Sequence, residues 1–213
     1  GVKATSPRDN DFVEKIYPAT MHNTMMFFTE RGRCYWLKVY DIPEGSKNNK
    51  GRAIQNMLNI DAGDSVTNCL CIRKLNDPDF CKTHYVMFAT KQGIIKKTCL
   101  TEYSRVRTNG VNAINIREDD SVVAVELTNG SNEIIVANAG GRAVRFNESE
   151  VRPMGRVSTG VQSIILDKDP RDGVIGMCVI NDVENESIMV LSESGFGKRT
   201  DVEEYRKTSR HCK

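Results

Sequence analysis

Lysine and arginine recur at matching places along the chain. Each of four polar loops carries two or three of them: Lys47, Lys50 and Arg52; Arg105 and Arg107; Arg152 and Arg156; and Arg206, Lys207 and Arg210. Such spacing suits contacts with phosphates, because a DNA duplex presents its charges at regular intervals and these contacts need no reading of bases. A solvated rim of loops without a nucleic-acid partner is the alternative, since lysine and arginine are usually exposed.

A second register of cations lies four residues after a glycine, at Lys97, Arg145 and Arg199. The chain has 30 Lys and Arg against 28 Asp and Glu, so its formal net charge is only +2. The acids concentrate in other turns, such as those of Asp64, Asp120 and Asp172. A nearly neutral chain can therefore still present one strongly positive edge.

Other chemistries have little support. Cys69, Cys71, Cys81, His84 and Cys99 could be imagined as zinc ligands, but no pair of them has finger-like spacing, and buried unreactive thiols are the interpretation we favour. No serine lies in a G-x-S-x-G motif, and the G-F-G-K segment at 195–198 lacks the other residues of a phosphate-binding loop. We expect no catalytic residue, metal or cofactor in this chain.

The basic loops follow four copies of a hairpin pattern. Each copy has four apolar residues, a small polar residue and, three positions later, a glycine, which is Gly32, Gly93, Gly141 or Gly195. A short strand, a tight connection ending in glycine and a second strand are typical of a β-hairpin, because the last turn position needs a positive φ.

Two weaker elements precede each hairpin. One is a strand led by aspartate, beginning at Asp11, Asp64, Asp120 and Asp172, and the other is a strand led by glycine, beginning at Gly1, Gly51, Gly110 and Gly160. Units of about four strands at a period of ~40 to 50 residues predict an all-β, propeller-like array of blades. The predicted blades are about 1–50, 51–109, 110–159 and 160–213. Residues 54–58 look helical locally, but their place in the repeat predicts a strand.

Composition restricts the protein's class and setting. The 213 residues are 39% hydrophobic and 27% charged, without an apolar run long enough to span a membrane. No signal-peptide pattern opens the chain, and the seven cysteines include no CxxC pair, so we expect a reduced, cytosolic setting. Because the sequence does not begin with methionine, we expect it to be a piece of a longer protein.

Three longer stretches resemble a known family. FTERGRCYWLKVYDIPE at 28–44 resembles the first blade in the C-terminal domain of the DNA gyrase A protein, and VRFNESEVRPMGR at 144–156 and GFGKRT at 195–200 agree with it. The resemblance runs from Gly1 to about Arg210. It implies a six-bladed β-pinwheel with strands exchanged between neighbours, of which four copies are present. In that family a positive outer rim wraps DNA, so that the holoenzyme introduces negative supercoils using ATP.

The resemblance also implies the site residues. The ten loop cations named above become phosphate contacts, and Lys97, Arg145, Lys198 and Arg199 form a second tier. For this second tier the alternative is a structural role, either covering the blade surface or pairing with an acid such as Glu102, Glu148 or Glu203.

Partners follow from the same resemblance. They are double-stranded DNA, the rest of the gyrase A protein and the gyrase B protein of a bacterial enzyme, with no membrane. The family's catalytic tyrosine lies in the N-terminal part of gyrase A, and the ATP site, with its Mg, lies in gyrase B. We therefore expect this chain to cut no DNA and to hydrolyse no ATP.

Several features limit the likeness. The family's basic gyrase box would precede Gly1, two blades are absent, and residues 209–213 do not continue as a glycine-led strand. We expect weakened wrapping, and self-association through open sheet edges. Two alternatives stay open: the homologous domain of the topoisomerase IV A protein, and a protein-interaction propeller with an incidental basic rim.

Overall fold

The computed structural model describes residues 11–169 and 171–210, and nearly all of its regular structure is antiparallel β-sheet. The strands are β1 (Thr24–Thr29), β2 (Arg33–Lys38), β3 (Val66–Ile72), β4 (Tyr85–Thr90), β5 (Ile94–Cys99), β6 (Val111–Asn112), β7 (Val122–Thr128), β8 (Glu133–Asn138), β9 (Ala143–Asn147), β10 (Val161–Gln162), β11 (Val174–Ile180), β12 (Ser187–Leu191) and β13 (Gly197–Asp201). One short helix, α1 (Pro78–Thr83), lies between β3 and β4. The prediction of an all-β array of small sheets is confirmed.

Each sheet is built around one hairpin and borrows strands from later in the chain. The first sheet has the order β3-β1-β2-β6 and the second the order β7-β4-β5-β10. The third consists of β11-β8-β9, and the fourth of β12 and β13. In the first three sheets the aspartate-led strand of the following repeat thus pairs with the first arm of the hairpin, and in the first two a glycine-led strand from farther along pairs with the second arm. The predicted blade boundaries divide the chain by repeat, whereas the sheets interlock across those boundaries.

All four predicted hairpins form, as β1–β2, β4–β5, β8–β9 and β12–β13. The turn glycines have φ between 81° and 86°. A side chain at Gly32 would also meet the carbonyl oxygen of Ile114. The left-handed conformation, which glycine adopts without strain, explains why glycine ends each of the four turns.

The leading aspartates hold the hairpin turns. In each case the carboxylate accepts a hydrogen bond from a turn amide of the preceding hairpin, and the distances are 3.2 Å for Arg31 N to Asp64, 2.9 Å for Gln92 N to Asp120 and 3.2 Å for Gly140 N to Asp172. We call this contact the aspartate latch. It ties each hairpin to the strand that begins the next repeat.

Two predicted strands are absent. Residues 11–16 and 51–54 belong to no strand, and the second segment runs into a 3₁₀ turn at Ile54–Asn56. Strands β6 and β10 each pair with a hairpin that lies two repeats earlier, and the described residues contain no hairpin before β1 with which 51–54 could pair. The strand prediction for 54–58 is therefore wrong, and the local helical pattern was the correct signal. The glycine-led segment predicted at residues 1–4 lies outside the described residues.

Apolar cores lie between successive sheets. Between the first and second sheets, the Phe28 and Phe88 rings meet edge to face at 5.4 Å, and Tyr103 packs beside them. A second core joins the second and third sheets around Phe146 and Met87. These interfaces stabilise the stack by removing large aromatic and aliphatic groups from water.

Candidate nucleic-acid interface

Three of the four predicted basic loops are anchored at their first turns. We define the connectors as residues 39–60, 100–110, 148–160 and 202–210. Each begins with a 3₁₀ turn directly after the second arm of a hairpin. In the last three connectors this turn is pinned by a fully buried side chain, namely that of Leu100, Val151 or Val202. The beginning of each of these connectors is thus fixed by the core, while its polar remainder stays on the surface.

Neighbouring connectors touch one another in chain order. Asn59 donates to Asn109 at 3.4 Å, joining the first connector to the second. The Arg156 guanidinium lies 3.8 Å from the Glu102 carboxylate, joining the third to the second. Arg210 donates to the carbonyl oxygen of Glu150 at 3.0 Å, joining the fourth to the third. These contacts place the four connectors side by side as a continuous series.

Most of the predicted cations on this series are unengaged. Within the part of the chain that the structure describes, seven of them are exposed and make no ion pair or side-chain hydrogen bond: Lys47, Lys50, Arg52, Arg105, Arg107, Arg152 and Arg206. A cation without a protein partner can bind a phosphate without first breaking another contact.

Three further connector cations are partly engaged. Arg156 faces Glu102, and the Arg210 guanidinium donates to the Glu150 and Gln162 carbonyl oxygens. Lys207 donates to Glu133 at 2.7 Å. Burial by itself raises the pKa of Glu133, but hydrogen bonds from Lys207, Asn147 and Arg145 outweigh it and lower that pKa. Arg210 in particular is used to fasten two connectors together.

Two second-tier predictions are wrong. Lys97 is buried, with its Nζ 3.3 Å from the Glu148 carboxylate and 4.5 Å from the centre of the Tyr85 ring. This is the structural alternative that the sequence left open. A buried, paired ammonium group is not available to a phosphate.

Arg145 is likewise buried and paired, one repeat later. Its guanidinium contacts the Glu133 carboxylate at 3.2 Å and donates to the carbonyl oxygens of Val202 and Tyr205. Lys97 and Arg145 also form parallel bridges with Pro153 and Lys207, so each fastens the connector of the following repeat to its own hairpin. The remaining second-tier residues, Lys198 and Arg199, are exposed on β13.

Lys96 was not predicted as a site residue. It is fully buried, and its Nζ donates to the carbonyl oxygens of Ala113 and Arg156, both at 2.6 Å. Burial, with a smaller effect of Arg156, lowers the pKa of Lys96 to about 7. The sequence signal is weak, because Lys96 is one of two adjacent lysines in the arm Ile94–Cys99 and its partners come from distant parts of the chain.

The thiols show no ligand cluster. Within residues 11–169 and 171–210, no group of three or more His, Cys, Asp or Glu side chains is arranged to hold a metal ion. Cys34 and Cys81 are buried, whereas Cys69, Cys71 and Cys99 are half-buried, which corrects the expectation that all of the candidate ligands are buried thiols. In the same described ranges, no helix is both long and apolar enough for a membrane span.

Comparisons with known proteins agree with this architecture. The family described as "DNA gyrase C-terminal domain, beta-propeller" matches residues 23–73, 84–129, 132–181 and 186–211. The DNA gyrase A protein of Staphylococcus epidermidis is 37% identical over 210 residues, which are 99% of this chain and 23% of that protein. The corresponding protein of Haemophilus influenzae is 37% identical over 237 residues and matches all of this chain, with 26% of its own length covered.

A solved structure gives the same result. The crystal structure of the C-terminal domain of DNA topoisomerase IV superposes with a TM-score of 0.77 at 30% sequence identity, covering 90% of this chain and 57% of that one. The chain spans about a quarter of the length of the curated relatives that it matches.

Proposed function

Because the chain belongs to the DNA gyrase C-terminal domain family, we propose that it binds double-stranded DNA along its connectors and wraps it without sequence specificity. The observation that carries this proposal is the series of connectors in mutual contact, on which seven exposed cations have no partner among the described residues. The phosphate backbone of a duplex lying across this series would meet cations from successive repeats. Such contacts position DNA without reading its sequence.

The distribution of acids supports the same proposal. Asp64, Asp120 and Asp172 are occupied by the hairpin turns through the aspartate latch, at the start of the strands β3, β7 and β11. Their charges are therefore tied to the turns, while the connectors retain unpaired cations. This separation lets a chain of net charge +2 attract a polyanion locally.

Wrapping requires energy that the contacts must supply. Bending a site of ~20 to 30 base pairs by tens of degrees costs on the order of 1–6 kcal/mol. Contacts from several connectors can offset that cost only if the connectors keep a fixed spacing. The buried anchors at Lys96, Lys97 and Arg145 would provide this fixed spacing.

In the parent protein this module would act with the rest of gyrase A and with gyrase B in the bacterial cytoplasm. Cleavage of DNA and hydrolysis of ATP with Mg would take place in those other parts. The module's contribution would be the direction in which the DNA segment is wound, which gives supercoiling its sign.

One alternative is favoured by a specific observation. The 30% identity to the topoisomerase IV C-terminal domain supports a role in the corresponding protein of that enzyme. In either enzyme the module would contact duplex DNA, and the residues that precede Gly1 in the parent would decide between the two.

Duplex binding at several salt concentrations tests the proposal. We expect the logarithm of the association constant to fall linearly with the logarithm of salt concentration, with little sequence preference. In a topology assay with relaxed circular DNA and a nicking-closing enzyme, we expect at most a weak change in linking number, because the basic box is not in this chain. An affinity that is absent, or insensitive to salt, would favour a protein-interaction role instead.

A further inference from the structure

A cleft of about 410 Å³ lies between the second and third connectors. Arg105 and Arg107 line it from the second connector, and Arg156 lines it from the third. Among the described residues, Glu102 is the one acid that lines it. At ~30 Å³ for each water in the liquid, the cleft has room for a phosphate group together with several waters.

The hydrogen-bonding capacity of the three guanidinium groups is largely unused. Within the described residues, the side chains of Arg105 and Arg107 make no hydrogen bond or ion pair. Among the described residues, the buried Arg156 Nε has no hydrogen-bond partner, because the Glu102 carboxylate is 3.8 Å away. The Nη1 of the same guanidinium donates to the Asn112 carbonyl oxygen at 3.4 Å. A buried N–H without an acceptor is costly, so this donor has a reason to bind an oxygen from outside the chain.

The charge of the cleft selects an anion. Three guanidinium groups face one carboxylate, which leaves an excess of about two positive charges in a concave, partly enclosed site. Guanidinium groups bind phosphate oxygens through paired N–H donors, and such charge-assisted bonds are stronger than bonds between neutral groups.

Buried hydrogen bonds fix the backbone of the cleft wall that carries Arg156. Lys96 donates to the carbonyl oxygen of Arg156 and to that of Ala113, at 2.6 Å in both bonds. The Ala113 oxygen also accepts the Tyr103 hydroxyl at 3.2 Å, and Tyr103 is buried in the second connector's first turn. One buried cluster therefore fixes both walls, and the cleft does not need to form when a ligand arrives.

We propose that this cleft is a discrete phosphate site, and that a backbone phosphate of the wrapped duplex occupies it. Arg105 and Arg107 bind the phosphate oxygens, and the Arg156 Nε supplies a third donor from the neighbouring connector. The site deepens the proposed function and rests on it, because it assigns one phosphate of the DNA path to the junction between two successive repeats.

The test compares two double variants of equal charge loss. Arg105→Gln/Arg107→Gln removes two cations from the cleft, whereas Arg31→Gln/Lys91→Gln removes two exposed cations from hairpin turns outside it. Binding of a 30-base-pair duplex is measured from low to moderate salt. We expect the salt slope of the cleft variant to fall by about two, and that of the control variant to change by well under one.

A second arm separates DNA from free anions. Pyrophosphate is titrated into the protein while the Nε–H signals of the arginines are followed by NMR. We expect the signals of Arg105, Arg107 and Arg156 to shift, and the duplex to displace pyrophosphate. Pyrophosphate that stays bound beside the duplex would overturn the assignment to a DNA phosphate.

The outcomes distinguish this site from the general function. If wild-type protein binds DNA with a steep salt slope but both double variants lose affinity equally, the cleft site is wrong and DNA binding stands. If wild-type protein shows no salt-dependent DNA binding while pyrophosphate still shifts the three arginines, the proposed function fails and the cleft is a site for a free anion.

Discussion

Replacing Lys97 by methionine removes the cation from a buried network at the start of the third connector. The side chains of Lys97 and Glu148 are 5% and 0% exposed. In the variant, the Glu148 carboxylate would keep its bonds from Thr128 Oγ1 and the Asn132 amide, both at 2.8 Å, but would have no positive partner. Leaving one member of a buried ion pair unpaired costs about 3–5 kcal/mol of stability.

That cost is large for a domain with a free energy of unfolding of ~5–15 kcal/mol. Urea denaturation at pH 7, followed by circular dichroism and by the fluorescence of Trp36, measures it. The double variant Lys97→Met/Glu148→Gln removes both charges, so its loss should be smaller than the sum of the two single losses by about 1 kcal/mol or more.

DNA binding separates the structural role from a phosphate contact. At a temperature where the variant is folded, the salt slope of Lys97→Met should equal that of the wild type, because the buried Nζ reaches no phosphate. An unfolding free energy within about 0.5 kcal/mol of wild type, together with a salt slope lower by about one, would refute the reasoning and restore Lys97 to the interface.

Three other predictions concern stability and assembly. Asp120→Ala should lower the free energy of unfolding by about 1–3 kcal/mol, because the Gln92 amide loses its latch, whereas Asp120→Asn, which keeps an acceptor oxygen, should lose less; equal losses in urea denaturation would argue against the latch. The pKa of Lys96 is about 7 in the fold and ~10.4 in an unfolded chain. Between these pH values Lys96 is protonated in the unfolded state and largely neutral in the folded state, so the free energy of unfolding should rise with pH across that window. Lys96→Met should flatten the rise in urea midpoints, and an unchanged pH profile would contradict this. The fourth hairpin has no aspartate-led partner strand in the described residues and exposes Met189. The segment that starts at Asp11 pairs with no strand there and exposes Phe12. We predict head-to-tail association of two copies, in which this segment pairs with β12 of the other copy. Sedimentation should show a wild-type mass that rises with protein concentration, and a mass equal to that of the monomer for Phe12→Asp. A wild-type mass independent of concentration would exclude this association.

The local parts of the fold could be predicted from the sequence. Each hairpin is specified by one apolar run and a glycine at a fixed distance, and these signals lie within about ten residues. The helix α1 has a local signal too, since Asp77 caps its first turn and Pro78 follows, although this helix was not predicted. The leading aspartates were visible as a pattern, and only the structure showed that they accept hydrogen bonds from turn amides.

The non-local parts could not be predicted. Whether a glycine-led segment becomes a strand depends on a hairpin two repeats earlier, which is why 110–114 contributes β6 and 51–54 contributes no strand. Lys97 and Arg105 look alike as basic residues near a hairpin. Their difference arises because Glu148, 51 residues later, approaches Lys97 in the fold.

Arginine-specific modification with and without duplex DNA tests most directly whether DNA lies along the connectors. Phenylglyoxal labelling read out by mass spectrometry compares the exposed connector arginines with exposed arginines elsewhere. We predict that duplex protects Arg105, Arg107, Arg152 and Arg206, and leaves Arg31, Arg73 and Arg117 reactive. Equal protection of both groups, or protection of the second group alone, would contradict a DNA path along the connectors.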